Sequence, residues 1–537
     1  MKNILTFFIL LSFLSCKTKE RVDSIVINGN VYTVNKEFEN AEAFAIKDGK
    51  FLEVGSSKAL QDKYVADTII DAKGKTILPG FIDAHCHFYR MGLGEQKVKL
   101  EGTKSFDEVI QKLVDFQKEK NSSFITGRGW DQNDWEVKEF PTKDKLDSIF
   151  PNTPVAIGRV DGHALLVNQA AINLTTLDEN THVNGGEILK VNGKLTGVLI
   201  DAAMGIVRNI IPEPSIQESV AALKDAQKIC FDLGLTTVDD AGLNRETIEM
   251  IDSLQKTGDL TMRVYAMVSA SKENIDYYLN KGIIKTEKLN VRSFKFYGDG
   301  ALGSRGAMLR EPYSDQPGHL GLLVNSIETL NETAERISNS EYQMNTHAIG
   351  DSANHAVLNT YKRVLKGKPN RRWRLEHAQI ISPEDFEHFS DIIPSIQPTH
   401  ATSDMYWAEN RVGAERIKGG YAFKDLLKAY GKVALGTDFP VENVSPFLTF
   451  YAAVARQDLD QYPEGGFQME NALSREETLK GMTIWAAYSN FEEDEKGSIE
   501  AGKFADFIIL DKDIMAVEAS EIPKIKVINT FVDGKIK

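Results

Sequence analysis

The sequence predicts an α/β fold: a distorted TIM-type (β/α)8 barrel, with a small β-sandwich built from both chain ends and an α/β subdomain inserted after the first barrel strand. Apolar runs in the middle of the chain alternate with longer helical stretches, which is typical of βα units and a parallel sheet. Two β-rich segments of similar character lie at opposite chain ends. About 145 residues separate His87 from Leu235, far more than a barrel connection needs.

The composition is that of an ordinary globular protein with more than one structural unit. The chain has 537 residues, of which 42% are hydrophobic and 26% charged, and a single core seldom grows to that size. The net charge of −14 argues against nucleic acid or an anionic membrane surface as an electrostatic partner. We therefore expect no nucleic acid as a partner. A small-molecule substrate is expected on other grounds given below, and a homodimer stays open.

Residues 1–16 are predicted to be a lipoprotein-type signal peptide. Lys2 precedes an apolar run at 4–14, which is too short to span a bilayer because a spanning helix needs about 20 residues. The segment that ends at Cys16 resembles a bacterial lipobox, although Phe13 stands where leucine is usual. We expect an exported cell-envelope lipoprotein that meets the membrane only through a lipid anchor at Cys16. The alternative is a plain signal peptide and a soluble periplasmic protein.

Two cysteines, Cys86 and Cys230, would remain in the mature chain. Thiols of exported proteins can pair, but a large core rarely needs a disulfide. We expect both cysteines to be buried free thiols.

The two chain ends, residues 22–78 and 491–537, are predicted to form one β-sandwich. Apolar runs at 24–27 and 31–34 flank Asn28-Gly29, and Asn-Gly between β-branched runs predicts a hairpin. Asp48-Gly49 repeats this pattern, and the runs at 507–510 and 527–532 have the same character. The sandwich would therefore be closed by both ends around an inserted body.

Residues 79–490 are predicted to form the barrel, whose active site would lie at the C-terminal ends of the strands. The eight candidate strands are residues 76–87, 235–242, 262–268, 291–298, 343–350, 372–378, 392–399 and 433–439. An insertion at about 90–230 is predicted to contain a helix at 106–118 and a hairpin around Asn192-Gly193. An insertion at the catalytic face would act as a lid or a pocket wall.

A His-x-His motif ends the first candidate strand. Alternation along a strand puts His85 and His87 on one face and Cys86 on the other, so both imidazoles can bind one cation at ~2.0–2.1 Å. The motif alone is weak, but here it closes an apolar strand that begins with Leu78-Pro79-Gly80. We therefore predict a metal site at this position.

A lysine lies in the fourth candidate strand with no other charge in the run 293–297. Burial of Lys295 would disfavour its charged form and leave a neutral amine. The alternative is a salt bridge between Lys295 and Asp299. A neutral amine can capture carbon dioxide to become a carbamate, although the residues alone do not establish this step.

Three further candidates follow later strands: His347, His377 and Asp438. Each histidine taken singly is as well explained as a core residue, and Asp438 as a helix cap or turn residue. Together, the two histidines suit a second metal ion, and Asp438 suits a metal ligand that accepts a proton from bound water. The ordered set is the layout of a two-metal hydrolytic site at a barrel mouth.

The motifs together resemble the amidohydrolase superfamily, and specifically its amidohydrolase-3 or YtcJ-like branch, over nearly the whole mature chain. They are PGFIDAHCH at 79–87, GWDQ at 129–132, VDGHA at 160–164, KFYGDGALGSR at 295–305, RLEHAQ at 374–379, QPTH at 397–400, GTD at 436–438 and GSIEAGKFAD at 497–506.

The resemblance implies six metal ligands: His85, His87, Lys295, His347, His377 and Asp438. The first two histidines and the aspartate would bind one divalent ion, the other two histidines would bind a second, and a carbamylated lysine would bridge the pair. Zinc is the expected metal, with manganese or iron as alternatives, because these ligands do not discriminate sharply between metals. No expected ligand is missing from the sequence.

The implied activity is hydrolysis of a non-peptide C–N bond in an amide, an N-acyl or N-formyl amine, or a cyclic amide. Two metal ions would lower the pKa of a shared water towards 7, and the resulting hydroxide would attack the carbonyl. Asp438 would act as the catalytic base and pass the proton to the departing amine. Alternatives are an esterase or phosphoesterase, a lyase or isomerase on the same metal platform, and a non-catalytic binding lipoprotein.

Six further residues are candidates for substrate binding: Trp130, Asp131, His163, Asp299, Arg305 and His400. The first three come from the insertion and would overhang the site. Asp299 and Arg305 follow the strand-four lysine, where a purely structural role is an equal alternative. His400 follows the seventh strand, at the catalytic end of the barrel.

Overall fold

The computed structural model describes residues 19–183 and 186–537. The predicted signal peptide, with Cys16, lies outside the described residues. The described residues form two compact units: the first lies within 19–86, 230–248 and 261–537, and the second within 87–183, 186–229 and 249–260. The barrel strands and both sheets of the sandwich belong to the first unit.

Eight parallel strands form a nearly closed barrel, each hydrogen-bonded to the next in chain order. They are β1 (Phe81–Cys86), β2 (Leu235–Leu243), β3 (Arg263–Ser269), β4 (Leu289–Tyr297), β5 (Gln343–Ala348), β6 (Arg374–His377), β7 (Ile393–Ile396) and β8 (Ala434–Leu435). Several of them are buried at every position, as expected for strands with side chains inside the barrel and helices outside. The predicted α/β barrel fold is confirmed.

The barrel closes between β8 and β1 through a side chain as well as the backbone. The Asp438 N–H donates to the His85 carbonyl at 2.8 Å. The Asp83 carboxylate accepts from the backbone N–H and the hydroxyl of Thr437, at 3.1 and 2.7 Å. This closure brings the segment after β8 against the end of β1.

Helices follow the barrel strands and begin at side-chain caps in several cases. Ser326 caps one helix, and Ser474 forms a capping box with Glu477 in another. The helices of at least seven residues in this part of the chain are Ile216–Asp232, Arg245–Thr257, Lys272–Lys281, Ile327–Ser338, Asp351–Val364, Pro398–Asp404, Ala408–Arg416, Phe423–Tyr430, Pro446–Ala455 and Arg475–Gly481. None of the described helices is long and apolar enough to cross a membrane.

Two sheets near the chain ends enclose a common apolar core that includes Phe44, Phe51 and Phe507. One sheet contains Lys50–Gly55, Ala43–Lys47, Glu20–Ile27 and Tyr64–Asp71; the other contains Lys535–Ile536, Val527–Val532, Phe507–Leu510, Thr76–Pro79, Asn30–Tyr32 and Asn40–Ala41. Strands from both chain ends therefore pair within the second sheet. The helix Ser57–Lys63 connects two strands of the first.

The hairpin predicted at Asn28-Gly29 is wrong. The strands on its two sides belong to different sheets, because each run pairs with a more distant segment instead of its neighbour. The chain crosses between the sheets here, and the Asn28 side chain donates to Asp71 at 3.0 Å. Asp48-Gly49, by contrast, does connect two antiparallel strands.

The second unit has a six-stranded sheet of its own. Its strands, in spatial order, are Gly186–Val191, Lys194–Asp201, Ala164–Val167, Val155–Arg159, Ile125–Trp130 and Val98–Lys99. The first two form the predicted hairpin around Asn192-Gly193, both of which have positive φ angles. The helices Phe88–Glu95, Phe106–Lys120, Asp144–Ile149, Gln169–Ile172 and Gly205–Arg208 complete this unit.

Candidate active site

Imidazoles from β1, β5 and β6 meet at the C-terminal end of the barrel. The His377 ring lies centrally, with its centroid 4.8 Å from that of His85 and 4.5 Å from that of His347. Because parallel strands end at one rim, residues far apart in sequence converge there. The predicted convergence of these three histidines is present.

Lys295 and Asp438 lie beside the His85 imidazole. The Lys295 ammonium nitrogen is 3.1 Å from Nε2 of His85, and Oδ1 of Asp438 is 3.8 Å from the same nitrogen. All three side chains are buried. The arrangement places an amine, an imidazole and a carboxylate around one point at the barrel mouth.

Two sets of side chains could each hold a metal ion, with three potential ligand atoms within 4.8 Å of one another. The first set is His85, His87 and Asp438, and the second is His377, His400 and Asp438. Asp438 is shared between them. The mixture of imidazole nitrogen and carboxylate oxygen suits zinc and other divalent transition metals.

Two imidazole rings at this site have a nitrogen that is available to bind a cation. Nε2 of His347 and Nδ1 of His377 have no hydrogen-bond partner within the described part of the chain. Burial lowers the pKa of His347 to about 3 and that of His377 well below its usual range, so both rings are neutral. A neutral ring with a buried, unpaired nitrogen is costly unless the lone pair has a partner such as a metal ion.

The environment of Lys295 lowers the pKa of its amine and so increases the uncharged fraction. Burial lowers its pKa to about 8, although the negative charges of Glu376 and Asp438 oppose the shift. A substantial fraction of the amine is therefore neutral at mildly alkaline pH. This is the form that reacts with carbon dioxide.

His400 stands between two carboxylates. Its Nε2 is 3.2 Å from Oδ2 of Asp438, and its Nδ1 is 3.1 Å from Oε1 of Glu442. Burial alone would lower the pKa of His400, but these two acids raise it to about 10. The residue predicted as a substrate contact thus lies in the group of candidate metal ligands.

A buried chain of charges that the sequence did not predict leads from the barrel interior to His85. Asp239 accepts from Arg374 at 2.9 Å, Arg374 contacts Glu376 at 2.7 Å, and Oε2 of Glu376 lies 2.5 Å from Nδ1 of His85. All four side chains are fully buried. The signal was available in Arg374-Leu375-Glu376, because alternation turns both charged residues towards the same side of a buried strand.

The backbone is unusual at two of the candidate ligands. His377 has a φ of 71° and Asp438 a φ of 63°. Residues other than glycine seldom adopt such left-handed conformations, and those that do cluster at functional sites.

Asp299 and Arg305 organise the loop after β4. The buried Asp299 carboxylate accepts from the N–H groups of Met308, Ile349 and Gly350 at 2.8–2.9 Å, and burial raises its pKa to about 7. Arg305 forms a two-pronged ion pair with Asp315 at 2.8–3.0 Å. Both residues thus have structural contacts in this loop, and their part in substrate binding stays a prediction.

The three candidates from the second unit have local roles there. Trp130 is fully buried in that unit's core and donates to the Ile157 carbonyl at 2.9 Å. Asp131 pairs with Arg159 at 2.6 Å. The His163 side chain is 74% exposed and lies 2.7 Å from Asp201. Their part in substrate binding stays a prediction.

Cys86 and Cys230 are free and buried, as expected. They take no part in the cluster of candidate ligands.

A parallel (β/α)8 barrel that gathers imidazoles, a carboxylate and a buried lysine at its C-terminal rim has the architecture of a metal-dependent hydrolase. The chain belongs to the amidohydrolase family, whose Amidohydro_3 model matches residues 68–536. This confirms the predicted superfamily.

Relatives support the predicted branch. The protein YtcJ of Bacillus subtilis (strain 168) is 30% identical over 520 residues, covering 95% of this chain and 98% of YtcJ. The N-substituted formamide deformylase of Arthrobacter pascens is 25% identical, covering 96% of this chain and 98% of that enzyme. An uncharacterized metal-dependent hydrolase from Pyrococcus furiosus superimposes with a TM-score of 0.77 at 29% identity, covering 92% of this chain and 100% of that one.

Proposed function

We propose that this metal-dependent hydrolase cleaves a non-peptide C–N bond, in an amide, an N-acyl or N-formyl amine, or a cyclic amide. The observation that carries the proposal is the convergence of Lys295, Asp438 and the histidine cluster at the barrel mouth. A relative similar over almost its whole length is named as a deformylase of N-substituted formamides, which supports this class of bond.

We assign two divalent cations, with zinc as the metal, to six ligands: His85, His87, Lys295, His347, His377 and Asp438. The first two histidines and the aspartate would hold one cation, the other two histidines would hold the second, and Lys295 as a carbamate would contribute an anionic ligand to both. The low pKa of Lys295 supports the carbamate, because only the neutral amine reacts with carbon dioxide. Manganese and iron are the alternatives.

When bound, the cations supply an acidified water and a Lewis acid for the substrate carbonyl. The residues of the chain then position and move protons. Asp438 accepts the proton of the attacking water and delivers it to the departing amine. Nε2 of His400 lies 3.2 Å from Oδ2 of Asp438. Glu376 fixes the ring of His85 through Nδ1.

The test combines metal analysis with a matched substrate panel. The purified protein is assayed against N-formyl amines, N-acyl amines and cyclic amides, and against esters and phosphoesters with the same substituents. We expect about two metal equivalents per chain and turnover of at least one amide class, lost with chelator and restored by zinc. Turnover of esters or phosphoesters alone would refute the C–N specificity.

We also propose that the protein is exported and anchored by a lipid on Cys16, on the strength of the sequence at 1–16. Expression with a radiolabelled fatty acid should label the wild type and direct it to the detergent phase on phase partitioning. Cys16→Ser should abolish both, and the control Ser12→Ala should retain them. Labelling that survives in Cys16→Ser would contradict the anchor.

A further inference from the structure

We infer that His400 is itself a metal ligand and completes a cation site with His377 and Asp438. The inference rests on the proposed metal centre and adds a residue that the six-ligand assignment does not contain. It also changes the expected role of His400 from substrate contact to ligand.

The strand order brings these residues together. His400 lies in the helix Pro398–Asp404, directly after β7, and β7 pairs with β6 on one side and β8 on the other. His377 ends β6 and Asp438 follows β8, so the three side chains come from three adjacent C-terminal ends. The ring centroids of His377 and His400 are 6.0 Å apart, and one ligand atom from each residue lies within 4.8 Å of the others.

The separation of His400 and Asp438 suits a shared metal. Two ligand atoms at about 2.0–2.1 Å from a zinc ion, at the tetrahedral angle, lie about 3.4 Å apart. Nε2 of His400 and Oδ2 of Asp438 are 3.2 Å apart. This distance also fits a direct hydrogen bond, so the orientation of the ring is needed to decide between the two.

The His400 ring is held in the way that a ligating histidine is held. Its Nδ1 lies 3.1 Å from Glu442, whose Oε1 also accepts from Ser403 at 2.6 Å. A histidine that binds a metal almost always donates its other ring N–H to such an acceptor, which leaves the second nitrogen aimed at the ion.

His85, already among the predicted ligands, has the same arrangement: Nδ1 faces the Glu376 carboxylate and Nε2 faces Asp438. The His400 side chain is 14% exposed and the Asp438 side chain 8% exposed, so water does not readily substitute for either ligand. The repetition of one carboxylate–imidazole arrangement on two sides of Asp438 points to two cations that share this carboxylate.

Crystals of the zinc-loaded wild type, measured at the zinc absorption edge, locate each ion directly. We expect an anomalous peak about 2.0–2.2 Å from Nε2 of His400, with His377 and Asp438 as neighbours. If ions are present but none lies within about 3 Å of His400, this inference fails while the proposed metal centre stands. If the wild type binds no metal, both fail.

Zinc affinity of three variants supplies a readout that is independent of activity. Glu442→Gln removes only the charge of the orienting carboxylate and should weaken zinc binding by about 10–100-fold. His400→Gln removes the ligand and should weaken it by more than Glu442→Gln does. His355→Gln is the matched control, because His355 also pairs through Nδ1 with an aspartate, Asp385, at 2.8 Å, and it should leave zinc affinity unchanged.

A loss in His400→Gln no larger than that in Glu442→Gln would overturn the assignment, provided circular dichroism shows that both variants are folded. If His400→Gln does not fold, the position of the zinc ions in the wild-type crystals decides alone.

Discussion

At the scale of single residues, Glu376 connects the candidate active site to the charges inside the barrel. Burial alone would raise its pKa, but Arg374 and His85 lower the pKa of this carboxyl well below its usual range. Glu376 is therefore ionised at neutral pH and orients the His85 ring. Its role is to position a ligand and not to contact substrate.

We predict that Glu376→Gln weakens metal binding by about 10–100-fold, because an amide orients and polarises the His85 ring less well than a carboxylate. Competition with a chromogenic chelator measures the change. Glu387→Gln, at a side chain that is 78% exposed, is the control. Unchanged affinity in Glu376→Gln would show that the contact with His85 has no part in metal binding.

Lys295 is the second residue on which the proposed metal site depends. We predict that Lys295→Ala loses at least one metal equivalent and with it all turnover, since the alanine cannot form the carbamate that joins the two cations. Metal content by mass spectrometry and turnover of the panel substrate are the measurements. Lys272→Ala, at a side chain that is 84% exposed, should behave as the wild type. Two retained metal equivalents in Lys295→Ala would disprove the bridging role.

At the scale of elements, the last strand of the barrel is too short for its backbone hydrogen bonds alone to hold the barrel closed. β8 has only two residues, and Asp83 of β1 ties the segment after it by accepting three hydrogen bonds from Thr437 and His85. Burial raises the pKa of Asp83 to about 7, while these hydrogen bonds oppose the shift. The Asp83 carboxyl therefore stabilises the closed barrel mainly by accepting hydrogen bonds, and less by its negative charge.

We predict that Asp83→Ala lowers the free energy of unfolding by about 1–3 kcal/mol or more, because three buried donors lose their acceptor. Asp83→Asn keeps one acceptor oxygen and should lose less. Urea unfolding of both variants measures the difference, and Asp115→Ala at an exposed helix position should stay within about 0.5 kcal/mol of the wild type. Equal losses for alanine and asparagine would contradict the explanation.

The Asn-Gly pairs show where local patterns predict elements and where they do not. Asn192-Gly193 and Asp48-Gly49 form the expected turns, since the flanking runs pair with each other. Asn28-Gly29 does not, because its flanking strands belong to two sheets whose partners arrive later in the chain. The first residue of each pair has a positive φ angle, but the choice of strand partner depends on distant residues.

At the scale of the whole molecule, one arginine connects the barrel to the sandwich. Arg263 begins β3, is fully buried, and donates to Asp506 at 2.5 and 2.9 Å and also to Asp533. Both aspartates come from the C-terminal part of the sandwich. Asp506 is buried, whereas the Asp533 side chain is 24% exposed. A buried ion pair such as Arg263–Asp506 stabilises a fold only while both partners are present.

We predict that Arg263→Ala lowers the free energy of unfolding by about 3–5 kcal/mol, because Asp506 remains buried without its cation. Arg336→Ala breaks an exposed pair with Asp276 and should cost less than about 1 kcal/mol. Chemical denaturation at neutral pH measures both. A loss below about 1 kcal/mol in Arg263→Ala would show that the ion pairs of Arg263 contribute little to stability.

The pH dependence of the free energy of unfolding tests the ion pair between Arg263 and Asp533 in a second way. Burial raises the pKa of Asp533, but Arg263 and Lys288 outweigh it, so the folded-state pKa lies below the unfolded value of about 3.9. The stabilisation is therefore present above about pH 4 and is lost as pH falls through the folded-state pKa. Between pH 6 and pH 3, the wild type should lose more stability than Arg263→Ala. A steeper loss in the variant would contradict this assignment.

The βα alternation, the His-x-His motif and the order of Lys295, His347, His377 and Asp438 were readable from the sequence, because side-chain periodicity and strand–helix alternation are local properties of the chain. Which residues meet was decided only by the tertiary structure. The approach of Glu376 to His85 joins residues 291 positions apart, and His400 approaches Asp438 only because β7 and β8 are neighbours. Strand order, register and barrel closure set such distances, and these depend on packing across the whole chain.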